Sequence, residues 1–206
     1  MYSVRPPKLL KRLLRDVVWD IPGKDKVIYL TFDDGPNPVI TPWVLDLLKT
    51  HEAKATFFCV GSNVEKHREA YDMVLAAGHA VGNHTYSHKN GWKTRRETYL
   101  EDVKRCSAVF PAMLFRPPYG KLRKSHYKRI KEDYKIVMWD VLSGDFDHTI
   151  SNERCLANVL DNARAGSVIV FHDSEKALKK LYYTLPKVLE HFSHLGYAFK
   201  AIPEPS

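Results

Sequence analysis

Short apolar runs alternate along the chain with longer segments in which apolar residues recur at helical spacing. The runs are KVIYLTF, KATFFCVG, HAVGNH, MLFRPP, KIVMWDV, SVIVFHD and YAFKAI. Most of them are apolar at successive positions, which is typical of parallel strands whose two faces are covered by helices. A strand followed by a helix, repeated about six or seven times, predicts βα units around a parallel sheet.

The segments between these runs predict helices whose ends can be placed. The segments are TPWVLDLLKTH, NVEKHREAYDMVLAAG, TRRETYLEDVKRCSAVF, HYKRIKEDY, SNERCLANVLDNARAG and KALKKLYYTLPKVLEHFSHLG. Thr41 is predicted as an N-cap with Pro42 in the first turn, and Gly78 as the residue that ends the second helix. Ser151 is predicted as another N-cap, and Pro186 as a kink or a break because proline has no N–H to donate.

The number of βα units favours a closed or nearly closed barrel over an open sheet of two halves. A dinucleotide-binding fold has no support, because no GxGxxG follows the first strand. The predicted fold class is therefore α/β, a (β/α) barrel of about seven parallel strands. Reactive groups in such barrels gather at the carboxyl ends of the strands, so polar residues at those ends are the candidates for function.

The first 25 residues are predicted to form an extension with a short amphipathic helix, and residues 26–206 one domain. Apolar residues occupy one helical face, and lysines and arginines the other. The two faces are Leu9, Leu10, Leu13, Leu14, Val17 and Val18, and Lys8, Lys11, Arg12 and Arg15. Such a helix either packs its leucines onto the domain or lies on an anionic membrane surface.

Composition limits the partners and the compartment. The 206 residues are 44% apolar and 27% charged, which is an ordinary soluble globular composition, and we expect a monomer. A net charge of +8 permits an anionic polymer, but no nucleic-acid-binding motif is present, so we expect no nucleic-acid partner. Three distant cysteines without CxxC spacing argue against disulfides and a thiolate zinc site. Basic residues interrupt the first apolar segment, and without a signal peptide or membrane span we expect a cytoplasmic location.

Polar side chains follow five of the predicted strands. They are Asp33 and Asp34 in TFDDGP, His84 and His88 in GNHTYSH, Arg116 in FRPPYG, Asp145 and Phe146 in SGDF, and His172 and Asp173 in VFHD. All of these clusters lie at the same end of parallel strands, so we expect them to face one another despite their separation in sequence.

The histidine pair and the aspartate pair together indicate a metal site. Two histidines four residues apart on a helical turn point their imidazoles the same way, although two surface histidines can have this spacing by chance. A carboxylate completes a set of three ligands that leaves positions open for water and substrate, as in catalytic zinc sites. Nitrogen and oxygen donors suit zinc, and also cobalt, nickel or iron. The spacing leaves open which aspartate would bind the metal and which would accept a proton.

These motifs resemble those of the polysaccharide deacetylases, the NodB-homology family of carbohydrate esterases. Five motifs match in the family's order between Thr31 and Asp173, and the βα pattern covers nearly the whole chain. The resemblance implies a distorted (β/α) barrel. It also implies metal-dependent removal of N-acetyl, or O-acetyl, groups from sugar polymers, with an acetylated glycan as partner and zinc as the first choice of metal.

The resemblance also assigns the metal ligands and the base. By the family's pattern Asp34, His84 and His88 bind the metal, and Asp33 is the general base. A cation between them would lower the pKa of water and reduce the repulsion between the two acids.

The remaining roles come from the same resemblance. Arg116 would hold Asp33 through a charged hydrogen bond, and the backbone N–H of Tyr119 would stabilise the oxyanion. Asp145 would orient His172 and keep it cationic, and His172 would protonate the leaving amine. Such groups are what amide hydrolysis requires.

Three positions depart from the family's pattern and put the sugar pocket in doubt. Phe146 replaces the common tryptophan, Val170 the common leucine, and Leu142 a common aspartate. Phe146 and Val170 keep an apolar wall that could bind an acetyl methyl group. Asp140 and Asp147 are the candidates for replacing the missing acid.

Two other functions remain open at this point. One is hydrolysis of a small or cyclic amide on the same scaffold. The other is a glycan-binding module with a vestigial site, which the net charge favours weakly. The complete set of aspartates, histidines and arginine favours the deacetylase.

Overall fold

Eight strands form one sheet in the computed structural model, which describes residues 3–204. The strands are β1 (Val27–Asp33), β2 (Thr56–Cys59), β3 (Ala80–Asn83), β4 (Leu114–Phe115), β5 (Lys135–Ile136), β6 (Val141–Leu142), β7 (Val168–His172) and β8 (Ala198–Phe199). Their order is β5-β4-β3-β2-β1-β7-β6, with β8 beside β1, and all the pairs are parallel. The sheet curls into a half-barrel, so the predicted α/β distorted barrel is confirmed.

Helices cover the outside of the sheet. They are α1 (Lys8–Leu13), α2 (Ile40–Thr50), α3 (Gly61–Lys66), α4 (Arg68–Ala76), α5 (Arg96–Val109), α6 (Lys124–Asp133), α7 (Asn152–Leu160) and α8 (Leu178–His194). Ser151 caps α7 as predicted, because its Oγ accepts a hydrogen bond from the Arg154 N–H at 3.1 Å. No helix within residues 3–204 combines the length and the apolarity that crossing a membrane requires.

Several predicted helix ends are wrong. The second predicted helix is divided at His67 into α3 and α4. The helix α2 begins at Ile40, so Thr41 lies inside its first turn and is not the N-cap. The helix α8 runs through Pro186 without a break.

The run KIVMWDV is divided into β5 and β6, although the sequence predicts one strand. The reason is that its two halves pair with different neighbours, β5 with β4 and β6 with β7, at opposite edges of the sheet. The residues between them, including the half-buried Trp139, therefore cross from one edge to the other.

The N-terminal segment connects the end of β5 to the start of β7. Val18 pairs with Val137 after β5, and Asp20 pairs with Ser167 before β7. Trp19 is buried between them, at 5% exposure. Residues 17–21 therefore pack as part of the barrel, while the proposed domain boundary at residue 25 stays a prediction.

The helix α1 does not pack its leucines onto the domain. Leu9 and Leu13 are 67% and 71% exposed, whereas Lys11 turns inward. The ammonium of Lys11 lies 2.6 Å from a carboxylate oxygen of Asp140, and Arg5 lies 3.0 Å from the same oxygen. Because Asp140 is fully buried, these partners compensate the cost of burying its charge. Asp140 therefore ties down the N-terminal segment, and its prediction as a replacement acid in the sugar pocket is wrong.

Alternation along β1 sends its side chains to two different environments. Phe32 stacks with Phe57 of β2 at 5.0 Å and Phe171 of β7 at 6.1 Å between ring centroids, within the core formed by the sheet and its covering helices. Thr31 and Asp33 point to the opposite, concave face of the curled sheet. The packed phenylalanines thus hold β1 in position between β2 and β7, so that Thr31 and Asp33 face the concave side.

Candidate metal and catalytic centre

The register of the sheet brings the predicted strand-end residues together. Asp33 lies beside His172 of β7, and the backbone N–H of Arg116 donates to the carbonyl of Asn83 at the end of β3. The carboxyl ends of five strands thereby meet at one edge of the sheet, as expected for parallel strands. Here the edge is the one formed by strand ends and not the one formed by an outer strand. The residues that lie at this edge are Asp33, Asp34, His84, His88, Arg116, Asp145, Phe146, His172 and Asp173.

Asp34, His84 and His88 form a cluster that could hold a metal ion. One donor atom from each lies within 4.8 Å of the other two. Nε2 of His88 lies 3.0 Å, and Nε2 of His84 3.7 Å, from Oδ1 of Asp34. Three protein donors of this kind leave coordination positions for water and substrate.

The protonation states in this cluster suit a cation. Burial lowers the pKa of His84 to about 4, so its imidazole is neutral at pH 7. Burial alone would raise the pKa of Asp34, but the hydrogen bond from His88 and the charge of His172 hold it well below its usual value. Nδ1 of His84 lies 2.7 Å from the carbonyl oxygen of Arg116, so Nδ1–H donates and Nε2 faces the cluster with a free lone pair. The donor set therefore fits a divalent metal such as zinc.

Strained backbone positions the donors. Four of the five non-glycine residues with positive φ among residues 3–204 lie in the site loops. They are Asp34 (78°), Thr85 (63°), His88 (53°) and Tyr119 (62°). Such values are uncommon outside glycine and cluster at functional sites. The predicted helical turn for the histidine pair is therefore wrong, because residues 84–90 form an irregular loop. The shape of this loop places the ring centroids of His84 and His88 5.1 Å apart.

Arg116 fixes Asp33 beside the metal cluster. The guanidinium is fully buried, and its Nη1 donates to Oδ1 of Asp33 at 2.7 Å. It also donates to Oγ1 of Thr31 and to the carbonyl oxygen of Met138, each at 2.7 Å. The other oxygen of Asp33, Oδ2, lies 4.0 Å from Nε2 of His84. One carboxylate oxygen is thus paired, and the other faces the space beside the metal ligands.

His172 and Asp145 form the second acid–base pair. Nδ1 of His172 lies 2.8 Å from Oδ1 of Asp145, and the His172 backbone N–H donates to Oδ2 at 2.7 Å. Burial would lower the pKa of His172, but the charge and hydrogen bond of Asp145 outweigh it and raise the pKa to about 10. The imidazolium therefore persists at neutral pH. The edge of Phe146 contacts the ring of His172 at 5.2 Å.

Tyr119 and Val170 differ in their exposure to solvent. Tyr119 is 59% exposed at the mouth, and its ring lies 4.7 Å from that of His88. Val170 is 1% exposed and lies two residues before His172 on β7, on the same face of the strand. Phe146 is half-buried beside His172, and the role of Phe146 and Val170 as an apolar wall stays a prediction.

The sequence interpretation assigned no role to Asp173, and the structure gives it one. Its Oδ1 accepts a hydrogen bond from the Gly35 N–H at 3.1 Å, and its Oδ2 accepts one from the hydroxyl of Thr41. A Cβ at Gly35 would lie 2.1 Å from Oδ2, so this approach requires glycine. Burial raises the pKa of Asp173 to about 7. Asp173 thus anchors the turn that carries Asp34. The available signal was an acid directly after His172 at the end of a buried strand.

A family model described as "Polysaccharide deacetylase" matches residues 20–137 of this chain. A peptidoglycan-N-acetylglucosamine deacetylase of Bacillus cereus is 33% identical over 195 residues, which cover 91% of this chain and 92% of the relative. A chitooligosaccharide deacetylase of Azorhizobium caulinodans is 33% identical over 154 residues, which cover 71% of this chain and 73% of that protein.

A solved structure shares the fold over nearly the whole chain. It is the crystal structure of the Bc1960 peptidoglycan N-acetylglucosamine deacetylase, which has 32% sequence identity and a TM-score of 0.87. The superposition covers 94% of each chain.

Proposed function

The chain belongs to the polysaccharide deacetylase family, and from this membership we propose that it removes N-acetyl groups, or O-acetyl groups where they occur, from glycans that contain N-acetylglucosamine. One observation carries the proposal. A cluster of Asp34, His84 and His88 converges with an Asp33–Arg116 pair and a His172–Asp145 pair at one edge of the sheet. This arrangement provides a base, an acid and an electrophile site for the hydrolysis of an amide.

The roles of the side chains follow from their charges. Asp33 is the general base that accepts a proton from the attacking water, and the hydrogen bond from Arg116 orients it. Asp34 and the two histidines would hold a divalent cation, which when bound would supply Lewis-acid chemistry for the water and for the acetyl carbonyl. The water oxygen adds to the carbonyl carbon, and the Tyr119 N–H donates to the developing oxyanion.

The second half of the reaction needs an acid. His172 donates its proton to the sugar nitrogen as the carbon–nitrogen bond breaks, which releases acetate and a free amine. Asp145 stabilises the imidazolium through its charge. Zinc is the metal that we propose, with cobalt and nickel as ions that accept the same donors. A monomeric state and a cytoplasmic location stay predictions.

Asp145→Asn is expected to shift the pH dependence of turnover. With the charge and the hydrogen bond of Asp145 gone, the effect of burial is opposed only by the charges of Asp34 and Asp33, so the pKa of His172 falls from about 10. Because the acid must be protonated, kcat would then fall as the pH rises through this lowered pKa, by roughly 100-fold at pH 8. The measurement is kcat between pH 5 and pH 10, beside Asp161→Asn at an exposed acid after α7. If kcat of Asp145→Asn falls at high pH at the same pH as in the wild type, Asp145 does not set the pKa of the catalytic acid.

The substrate class is tested by product analysis across a panel. The metal-loaded enzyme is incubated with N-acetylglucosamine oligomers, O-acetylated xylan and cyclic ureides, and the products are measured by mass spectrometry. We expect acetate and free amines from the oligomers. Turnover of the ureides alone would indicate an amide hydrolase on the same scaffold. Glycan binding without turnover by any metal-loaded sample would indicate a vestigial site.

A further inference from the structure

Two loops beside the centre pack closely on each other and carry side chains that the mechanism does not use. Residues 88–94 lie against residues 119–123, and a Cβ at Gly91 would lie 2.2 Å from the carbonyl oxygen of Lys121. Nε of Arg123 donates to the carbonyl oxygen of Trp92 at 3.0 Å, and its Nη2 donates to the same atom. The two loops therefore form one surface.

Trp92 is exposed although its backbone is held in place. Its side chain is 57% exposed, while its N–H donates to Oδ1 of Asn90 at 3.0 Å and its carbonyl accepts from Arg123. The ammonium of Lys121 lies 5.2 Å from the centre of the indole ring. An exposed aromatic side chain on a backbone that is held in place offers a flat apolar face to a ligand.

This surface is continuous with the metal cluster. The ring of Tyr119 contacts His88, one of the metal ligands, and Lys121 follows Tyr119 by two residues. Tyr119 beside His88, and Lys121 beside Trp92, thus form a rim next to the metal cluster. A polymer whose acetyl group reaches the metal would extend across this rim.

The rim is positively charged. No aspartate or glutamate occurs at positions 85–96 or 117–131. The exposed cations on these segments are Lys93, Arg95, Arg96, Arg123, Lys124, Lys128, Arg129 and Lys131. On α5, Asp102 pairs with Lys89 at 3.7 Å, and Glu97 and Glu101 line the neighbouring groove. At the end of the second segment, Arg129 pairs with Glu132 and Asp133, and Lys131 pairs with Asp16. Cations grouped beside a cleft attract anionic polymers.

We infer that Trp92 and Lys121 form a subsite for a glycan that carries carboxylate or phosphate groups, next to the sugar that is deacetylated. The indole would stack on a sugar ring, and Lys121 with its neighbouring cations would pair with the anionic substituent. This inference rests on the proposed function, because it assigns the substrate class of the same site. It makes Trp92 and Lys121 specificity-determining residues.

The test measures binding with a chelator present, so that turnover is not required. The probes are glycan strands bearing the lactyl carboxylates of muramic acid, a phosphate-bearing glycan, and neutral N-acetylglucosamine oligomers of equal length. Trp92→Ala is expected to lower the affinity for all three probes by about tenfold, since tryptophans contribute much of the binding energy at many interfaces. Lys121→Gln should weaken only the anionic probes, by about threefold, and flatten their salt dependence.

A matched control is available on α8. Nζ of Lys187 lies 3.9 Å from the ring of Tyr183, so Lys187→Gln removes a similar contact on a different element. Equal loss for neutral and anionic probes in Lys121→Gln, or equal loss in Lys187→Gln, would overturn the inference. The same applies if the wild type binds neutral and anionic probes equally. The anionic probe whose binding is weakened more by Lys121→Gln identifies whether the substituent is a carboxylate or a phosphate. Turnover of neutral oligomers, measured separately, reports on the proposed function alone.

Discussion

Replacing Asp33 by asparagine is expected to lower kcat by roughly 10²- to 10⁴-fold, the range that positioned general bases contribute. Asparagine keeps the shape of the side chain and can still accept the hydrogen bond from Nη1 of Arg116, which spans 2.7 Å. It cannot accept the proton of the attacking water. Metal content should stay at the wild-type level, because the predicted ligands are Asp34 and the two histidines. The measurement is kcat together with the metal content of the same sample.

The Asp33→Asn variant should remain folded even though it neutralises one partner of a buried pair. Arg116 keeps its hydrogen bonds to Thr31 and to the carbonyl of Met138. Asp46→Asn, at an exposed position of α2, serves as the control for loss of a surface acid. Wild-type turnover by a folded, metal-loaded Asp33→Asn sample would show that Asp33 is not the base.

Replacing His88 by alanine is expected to lower metal affinity by roughly 100-fold or more and to remove activity at low metal concentration. One of three protein donors is lost, and Nε2 of His88 is the donor atom nearest to Asp34, at 3.0 Å. His88 is only partly buried, so its loss disturbs the core less than the loss of the buried His84 would. The measurement is metal bound after gel filtration, with kcat at rising concentrations of zinc.

Excess zinc should restore part of the activity of His88→Ala, because Asp34 and His84 still supply donors. His148→Ala, at an exposed histidine, is the matched control and should bind metal like the wild type. A His88→Ala sample that retains one tightly bound ion and wild-type turnover would exclude His88 as a ligand.

The strand ends of this protein could be located from its sequence because parallel strands align their carboxyl ends. The buried runs fixed which residues end each strand, and the side chains that follow them meet at one edge. The pairs Asp33–Arg116 and His172–Asp145 join residues far apart in sequence, and both were predicted. The resemblance to the polysaccharide deacetylases supplied these pairings. The local pattern predicted only that the strand-end residues meet, because they directly follow the strands that place them.

Features that depend on distant segments could not be predicted. Asp140 looked like a substitute pocket acid, but Arg5 and Lys11 bind it from an N-terminal segment whose path no local pattern reveals. The division of KIVMWDV depends on which neighbours each half pairs with. The loop of His88 depends on positive φ values, and helical spacing alone gave the wrong geometry. In each case tertiary contacts decided between local alternatives.

The most direct test of the central claim is deacetylation of an N-acetylglucosamine tetramer by metal-stripped enzyme. The metal is removed with a chelator, its absence is verified by elemental analysis, and acetate release is measured before and after zinc or cobalt is added back. We predict background activity without metal, and recovery in proportion to bound ion up to one per chain. Full acetate release after proven removal of the metal would contradict the account.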